Sequence, residues 1–254
     1  MKFEKILDHI TAMRPQFRDE IRGCSEEEIA TLEKIIGRAV PGDYRTFLTF
    51  MGHDTGGITA LHAGGFVASH MHLSFDKVLK IEKKAKHRLP SRFTLVGEIL
   101  EDPFESLCLD TEPSAAEPHV VRLSISRSSA PKPGKEGFSR YEAAQSLAEL
   151  VFAGAFVSFV FPRHPVEAIL EHAEPQADGP RAADKLLRRM EFTPHPASGG
   201  WSAFYHRPNA AALVYQNSRV PLHIRVRAQT VSVARQLVAM LEEHLGFVGS
   251  RLRE

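Results

Sequence analysis

The side chains best suited to chemistry crowd into one short stretch. His53, Asp54, His62, His70 and His72 fall between positions 53 and 72. If residues 66–72 form a strand, His70 and His72 project from the same face. Two imidazoles so placed would make a pair of zinc ligands, with His53 as a third candidate. Against a metal, no H-E-x-x-H pattern occurs, and no cysteine completes a tetrahedral set within the stretch. Thirteen histidines also make a chance cluster easy. The expectation is therefore no metal and no cofactor, the histidines being surface or capping groups.

The commonest catalytic motifs are missing. There is no G-x-x-x-x-G-K-[ST] phosphate loop, no G-x-G-x-x-G after a strand and no G-x-S-x-G elbow. Cys24 and Cys108 are far apart, in no C-x-x-C pair, and read as small core residues of a protein in a reducing cytoplasm. No catalytic residue is assigned, and the chain is not expected to be an enzyme. A metal-dependent hydrolase built on the His53–His72 cluster is the alternative.

Charge is distributed less evenly than the total suggests. The net charge is +1, which gives no global attraction to nucleic acid or an anionic membrane. Locally, Lys77, Lys80, Lys83, Lys84, Lys86, Arg88 and Arg92 crowd one segment. Glu98, Glu101, Asp102, Glu105, Asp110, Glu112 and Glu117 then follow with no lysine or arginine among them. Each run can be a solvated face and nothing more. The acidic half could equally attract a basic protein partner, which makes Glu98, Glu101, Asp102, Glu105 and Asp110 candidate binding residues. The basic segment lacks neighbouring aromatics for stacking on bases, so nucleic acid is not the expected partner.

The elements that must position these residues follow from periodicity. Phe3, Ile6, Leu7, Ile10 and Met13 predict a helix ending near Pro15. Ser25 and Glu28 have capping-box spacing, each side chain able to satisfy the other's backbone N–H. Ile29, Leu32, Ile35 and Ile36 form the stripe of that helix, and Gly37 stops it. Pro41 opens the next helix, with Tyr44, Phe47, Leu48 and Met51 facing inward and Gly52 at its end. Tyr44 also carries a hydroxyl that could reach a surface, a further candidate contact for a partner.

Paired glycines at 56–57 and 64–65 predict turns around short strands. A helix over 74–87 and strands over 93–100, 106–109 and 119–126 come next. Residues 127–139 are rich in Ser, Pro, Gly and Lys and read as a surface loop, followed by an apolar helix from Tyr141 to Ala153. The stretch Glu174–Pro180 reads as a linker or loop. Beyond it lie a helix over 182–190, strands over 201–206, 211–216 and 222–228, and a helix over 232–245.

The segment from Ser25 to Gly57 resembles the N-terminal signature of the SUKH superfamily, the Smi/Knr-type domain. The matching positions are Glu28, Ile29, Leu32, Glu33, Pro41, Asp43, Tyr44, Arg45, Phe47, Leu48, Gly56 and Gly57. Ser106–Asp110 resembles the family's strand ending in Leu-Asp, and Ala144–Phe152 its closing helix. Thr55 stands where the family often has Asn, and Val40 where Leu is common. The resemblance covers roughly the first 160 residues. It implies an α+β domain with a mixed or antiparallel sheet flanked by helices. It also implies a protein-binding role, as in bacterial immunity proteins that neutralise toxins or in cell-envelope regulation.

Length and composition suit two domains: 254 residues, 43% hydrophobic and 25% charged. The longest apolar run, Leu150 to Phe161, falls short of the roughly 18 residues a membrane helix needs. The expected organisation is a SUKH-like domain over 1–162 and an α+β segment over 163–254, with about three strands and two helices. The expected partner is a protein, such as a basic toxin domain, and not a membrane.

Overall fold

The computed structural model describes residues 3–58, 71–72, 75–84, 90–99, 105–111, 118–125, 138–174, 176–217, 219–247 and 250–253. The fold is α+β with antiparallel sheets. The chain divides into two compact units, the first reaching Gly154 and the second running from Ala155 onward. The cut falls slightly before the expected 162/163 boundary. Residues 174 and 176–180 lie inside the second unit, between strand and helix or at the start of that helix. Among the described residues, no helix is long and apolar enough to cross a membrane.

Helix α1 (Phe3–Met13) buries Phe3, Ile6, Leu7 and Ile10, the face its periodicity predicts. A single turn, α2 (Phe17–Glu20), and a two-residue strand, β1 (Ile21–Arg22), follow. Helix α3 (Glu26–Ile36) starts where the capping box places it. The Ser25 N–H donates to Glu28 Oε2 at 2.8 Å, and the Glu28 N–H donates to Ser25 Oγ at 3.3 Å. Gly37, at φ 76°, ends the helix in the left-handed conformation that other residues adopt reluctantly. Helix α4 (Gly42–Met51) follows Pro41 and buries Tyr44, Phe47, Leu48 and Met51. The Phe47 ring stacks against Tyr44 at 6.1 Å and meets Phe3 edge-on at 5.9 Å. Strand β2 (Asp54–Thr55) pairs antiparallel with β1. The turn after it uses Gly56 and Gly57 at φ 64° and 79°, with Asp54 Oδ1 accepting from the Gly56 N–H.

The first unit's main sheet joins β3 (Met71–His72), β4 (Phe93–Ile99), β5 (Glu105–Asp110), β6 (His119–Ile125) and β7 (Phe138–Ala144) in sequence order, all antiparallel. Helix α5 (Phe75–Lys84) lies between β3 and β4 and packs on β4. Strand β7 corrects the sequence expectation, which placed a helix from Tyr141. Helix α6 (Leu147–Phe159) begins later, after its own N-terminal device. Ser146 Oγ accepts from the Glu149 N–H at 3.2 Å, and Glu149 Oε2 accepts from the Gln145 N–H at 3.0 Å. Residues ahead of that cap are released from the helix and complete the sheet beside β6.

Among the described residues, the second unit has six strands: β8 (Val166–Glu171), β9 (Thr193–Pro194), β10 (Ser202–Arg207), β11 (Ala210–Tyr215), β12 (His223–Ala228) and β13 (Arg251–Arg253). Their order is β13-β8-β12-β11-β10-β9, again antiparallel throughout. Helices α7 (Gly179–Arg189) and α8 (Val231–Leu245) pack together and against this sheet. Leu187 and Leu241 belong to one core with Ala168, Leu170, Ala212, Ile224 and Val226. All six residues of β11 are buried, so both sheet faces are covered along it. The three strands and two helices expected here are present, and β8, β9 and β13 are additional.

Candidate functional site

The polar constellation most capable of chemistry forms where three pieces of the first unit meet. Cys24 lies between β1 and α3, Glu28 in the first turn of α3, and His53 directly after α4. The local packing that joins them depends on two glycines. A Cβ on Gly23 would overlap the Thr49 carbonyl, and one on Gly52 would overlap the Cys24 sulfur and the backbone of Leu48. Without those atoms, residues 22–24 can press against the end of α4. Gly52 itself has helical dihedrals, so space and not a positive φ demands glycine there. Backbone bonds fix the approach: the Cys24 N–H donates to the Leu48 carbonyl at 2.8 Å, and the His53 N–H to the Arg22 carbonyl at 2.9 Å.

The donor atoms of Cys24, Glu28 and His53 all lie within 4.8 Å of one another. Glu28 uses its two oxygens separately. Oε2 holds the Ser25 N–H, while Oε1 is 3.0 Å from His53 Nε2. The other ring nitrogen, Nδ1, is 3.9 Å from Asp76 Oδ2 at the start of α5. The Phe75 ring meets the imidazole at 5.6 Å, nearly edge-on, and limits its rotation. The sulfur is buried, the imidazole mostly so, and the two carboxylates face outward, with Asp76 76% exposed.

Cysteine, histidine and glutamate in contact suggest a nucleophilic triad, but the electrostatics oppose it. Burial, aided by the Glu28 and Asp76 carboxylates, pushes the Cys24 thiol up to about 12. A thiol so raised is protonated at neutral pH and is a poor nucleophile. The Glu28 carboxyl is held below its ordinary range, first by the Ser25 N–H and then by His53. A neutral sulfur, an imidazole and a carboxylate around one point can hold a cation; they do not form an activated thiolate.

His53 is in this cluster. His72 is on β3, paired with Glu98 of β4, and His70 lies outside the described residues. The partners around His53 are thus Cys24, Glu28 and Asp76, and Cys24 is the group that sequence spacing missed. Nothing in the linear pattern marks it, because Cys24 and His53 become neighbours only through the β1–β2 pairing and the packing of α4.

Two candidate partner-binding residues are corrected. Tyr44 is 1% exposed, stacked on Phe47, with its hydroxyl pushed upward by burial. Asp110 is also 1% exposed and sits 2.9 Å from Arg140 Nε and 3.6 Å from Arg92 Nε. Neither is open to a partner. Glu98 and Glu105 lie where β4 and β5 approach their connection, and Glu101 and Asp102 fall outside the described residues. No protein-family model matches the chain, and no curated protein matches it.

Proposed function

We propose that the protein is a cytoplasmic binding module that docks a protein partner stoichiometrically, as SUKH immunity proteins do, with a toxin domain as the partner. The observation that carries this is the free side of β7. The strand ends the five-stranded sheet and pairs only with β6 among the described residues. It presents Tyr141 with 51% of its surface exposed. The Arg122 guanidinium, directly across the ladder on β6, lies 5.1 Å from the Tyr141 ring centre. An edge strand offers backbone groups to a partner, and tyrosine and arginine are enriched where binding energy concentrates.

The SUKH resemblance supports the same reading, and its apolar and glycine positions serve packing and turns. Leu32, Tyr44, Phe47 and Leu48 are core, and Gly56 and Gly57 make the turn. The Cys108 thiol, like that of Cys24, is pushed up by burial, which argues against thiol catalysis.

The test is association with candidate toxin domains, beginning with any whose gene adjoins that of this chain, followed by titration calorimetry. Tyr141→Ala should weaken binding by about 2 kcal/mol, near thirtyfold, with the melting temperature unchanged. Unchanged affinity in that variant would remove β7 from the interface.

A further inference from the structure

We propose that Cys24, Glu28 and His53 form a zinc-binding site, with Asp76 orienting the histidine from its far nitrogen. The donor set is the first argument. Thiolate, imidazole and carboxylate are the three ligand types zinc takes, and a sulfur ligand disfavours magnesium and calcium. Distances are the second. Zinc bonds of about 2.0–2.3 Å in tetrahedral geometry place ligand atoms roughly 3.3–3.6 Å apart. The three donor atoms already lie within 4.8 Å of one another, and Glu28 Oε1 is 3.0 Å from His53 Nε2. Small side-chain adjustments close the site around an ion, with the backbone held by the bonds from Cys24 to Leu48 and from His53 to Arg22.

Asp76 adds a carboxylate on the far side of the ring, within ion-pair reach and one rotamer change from a hydrogen bond. A zinc-bound histidine typically gives its second N–H to a carboxylate, which fixes the ring and strengthens the ligand. Asp76 Oδ2 stands 3.9 Å from His53 Nδ1, on the side of the ring away from Glu28. A surface ion pair would account for Glu28 and His53 alone. It would not account for a sulfur brought to the same point, with a glycine at position 52 making room for it.

Binding balances in charge. The Cys24 thiol loses its proton to solvent, the imidazole carries its remaining proton on Nδ1 toward Asp76, and thiolate plus Glu28 carboxylate neutralise the divalent ion. The ion reverses the local field that keeps the thiol protonated. Glu28 coordinates through Oε1 while Oε2 keeps the Ser25 N–H, so helix α3 keeps its cap. Three protein ligands leave the fourth position to water. The ion would pin the β1–α3 turn, the start of α3 and the end of α4 together.

The test uses the full chain, purified without an affinity tag and stripped of metal, titrated with cobalt(II) as a spectroscopic stand-in. One equivalent should produce the thiolate-to-cobalt charge-transfer band and intense tetrahedral d–d bands, and zinc should abolish both by displacement. Cys108→Ala should keep the charge-transfer band and Cys24→Ser should lose it. Cys24→Ser could unfold locally, so Glu28→Gln and His53→Gln provide the second measure. Glu28→Gln retains an oxygen for the Ser25 N–H, and both variants should fail to bind zinc at concentrations that saturate the parent protein. Asp76→Asn should weaken zinc about tenfold. A parent protein without the band at one equivalent, a band that survives Cys24→Ser, or unchanged zinc affinity in both glutamine variants would overturn the site.

Discussion

Each unit holds a cluster of polar side chains in or near its interior, and the two clusters are composed differently. In the second unit, strands β8 and β12 bring together Glu167, Arg225 and Arg227, with the cross-strand pair Glu171 and His223 further along the same ladder. Arg225 Nε is 2.5 Å and Arg227 Nε 3.3 Å from the same Glu167 oxygen, and His223 Nδ1 is 3.1 Å from Glu171. Glu167 faces both guanidiniums and Glu171 faces the imidazole, so two carboxylates and two guanidiniums balance within the cluster. In the first unit, Glu28 and Asp76 face a neutral thiol and one imidazole, and the ion pair each makes among the described residues is to His53. A balanced cluster is a means of building a sheet. An anionic cluster around a sulfur calls for something positive from outside, and that difference separates a structural network from a ligand site.

The largest effect expected from breaking this contrast is in the second unit. Glu167→Ala leaves Arg225, 7% exposed, without its counter-charge in a buried position. Removing one partner of a buried pair costs about 3–5 kcal/mol. Replacing both, as Glu167→Leu with Arg225→Met, should restore most of the loss, because an apolar pair of similar volume carries no desolvation cost. Urea midpoints on the three proteins decide it. A double variant as unstable as the single would mean that the pair stabilises the fold beyond compensating its own burial.

Truncation of the first unit's core should come next. Leu32→Ala and Phe47→Ala each remove a side chain about 1% exposed, and cavities of that kind cost about 2–5 kcal/mol. Glu28→Gln, measured without metal, should cost only about 1 kcal/mol, since the amide oxygen can keep part of the α3 cap. A loss as large as that of Leu32→Ala would make Glu28 a structural residue first and would weaken the contrast between the clusters.

These same residues show which parts of the molecule were legible beforehand. Helix α3 was readable because its start and stop are local chemistry: Ser25 and Glu28 four positions of chain, then Gly37. Strand β7 was not, because the run from Tyr141 to Leu150 is rich in helix formers and contact with β6 outweighs that preference. The true start of α6 was nevertheless written in Ser146 and Glu149, spaced as a cap. Strand β8 hid because Glu167 occupies a buried position on it, so alternation did not look like a strand beside a core. The run of acids misled for a related reason. Counting charge along the chain treats sequence neighbours as surface neighbours, whereas β5 carries Asp110 inward to Arg92 and Arg140. Cys24 carries no signal in the linear pattern because its partners are made by tertiary pairing.

The smallest expected effect probes the balanced cluster through pH. Glu171 is half exposed, and its carboxyl is held below the ordinary range, first by the hydrogen bond with His223 and further by Arg251. A carboxyl whose folded pKa is lowered binds fewer protons when folded than when unfolded. Its contribution is therefore complete above the unfolded value of about 4.3 and is lost as pH falls through the lower, folded value. Exposure and salt screening restrict that contribution to about 0.2–1 kcal/mol. Glu171→Gln should thus destabilise by that small amount at neutral pH, and the difference from the parent protein should shrink as the solution is acidified below about pH 4. Urea midpoints of the two proteins across pH 3 to 7 read it directly. A difference that persists undiminished in acid would show that Glu171 acts through packing, not charge. In that case β8 would be held by shape alone at this position, and the contrast with the anionic cluster would rest on Glu167 and its two arginines.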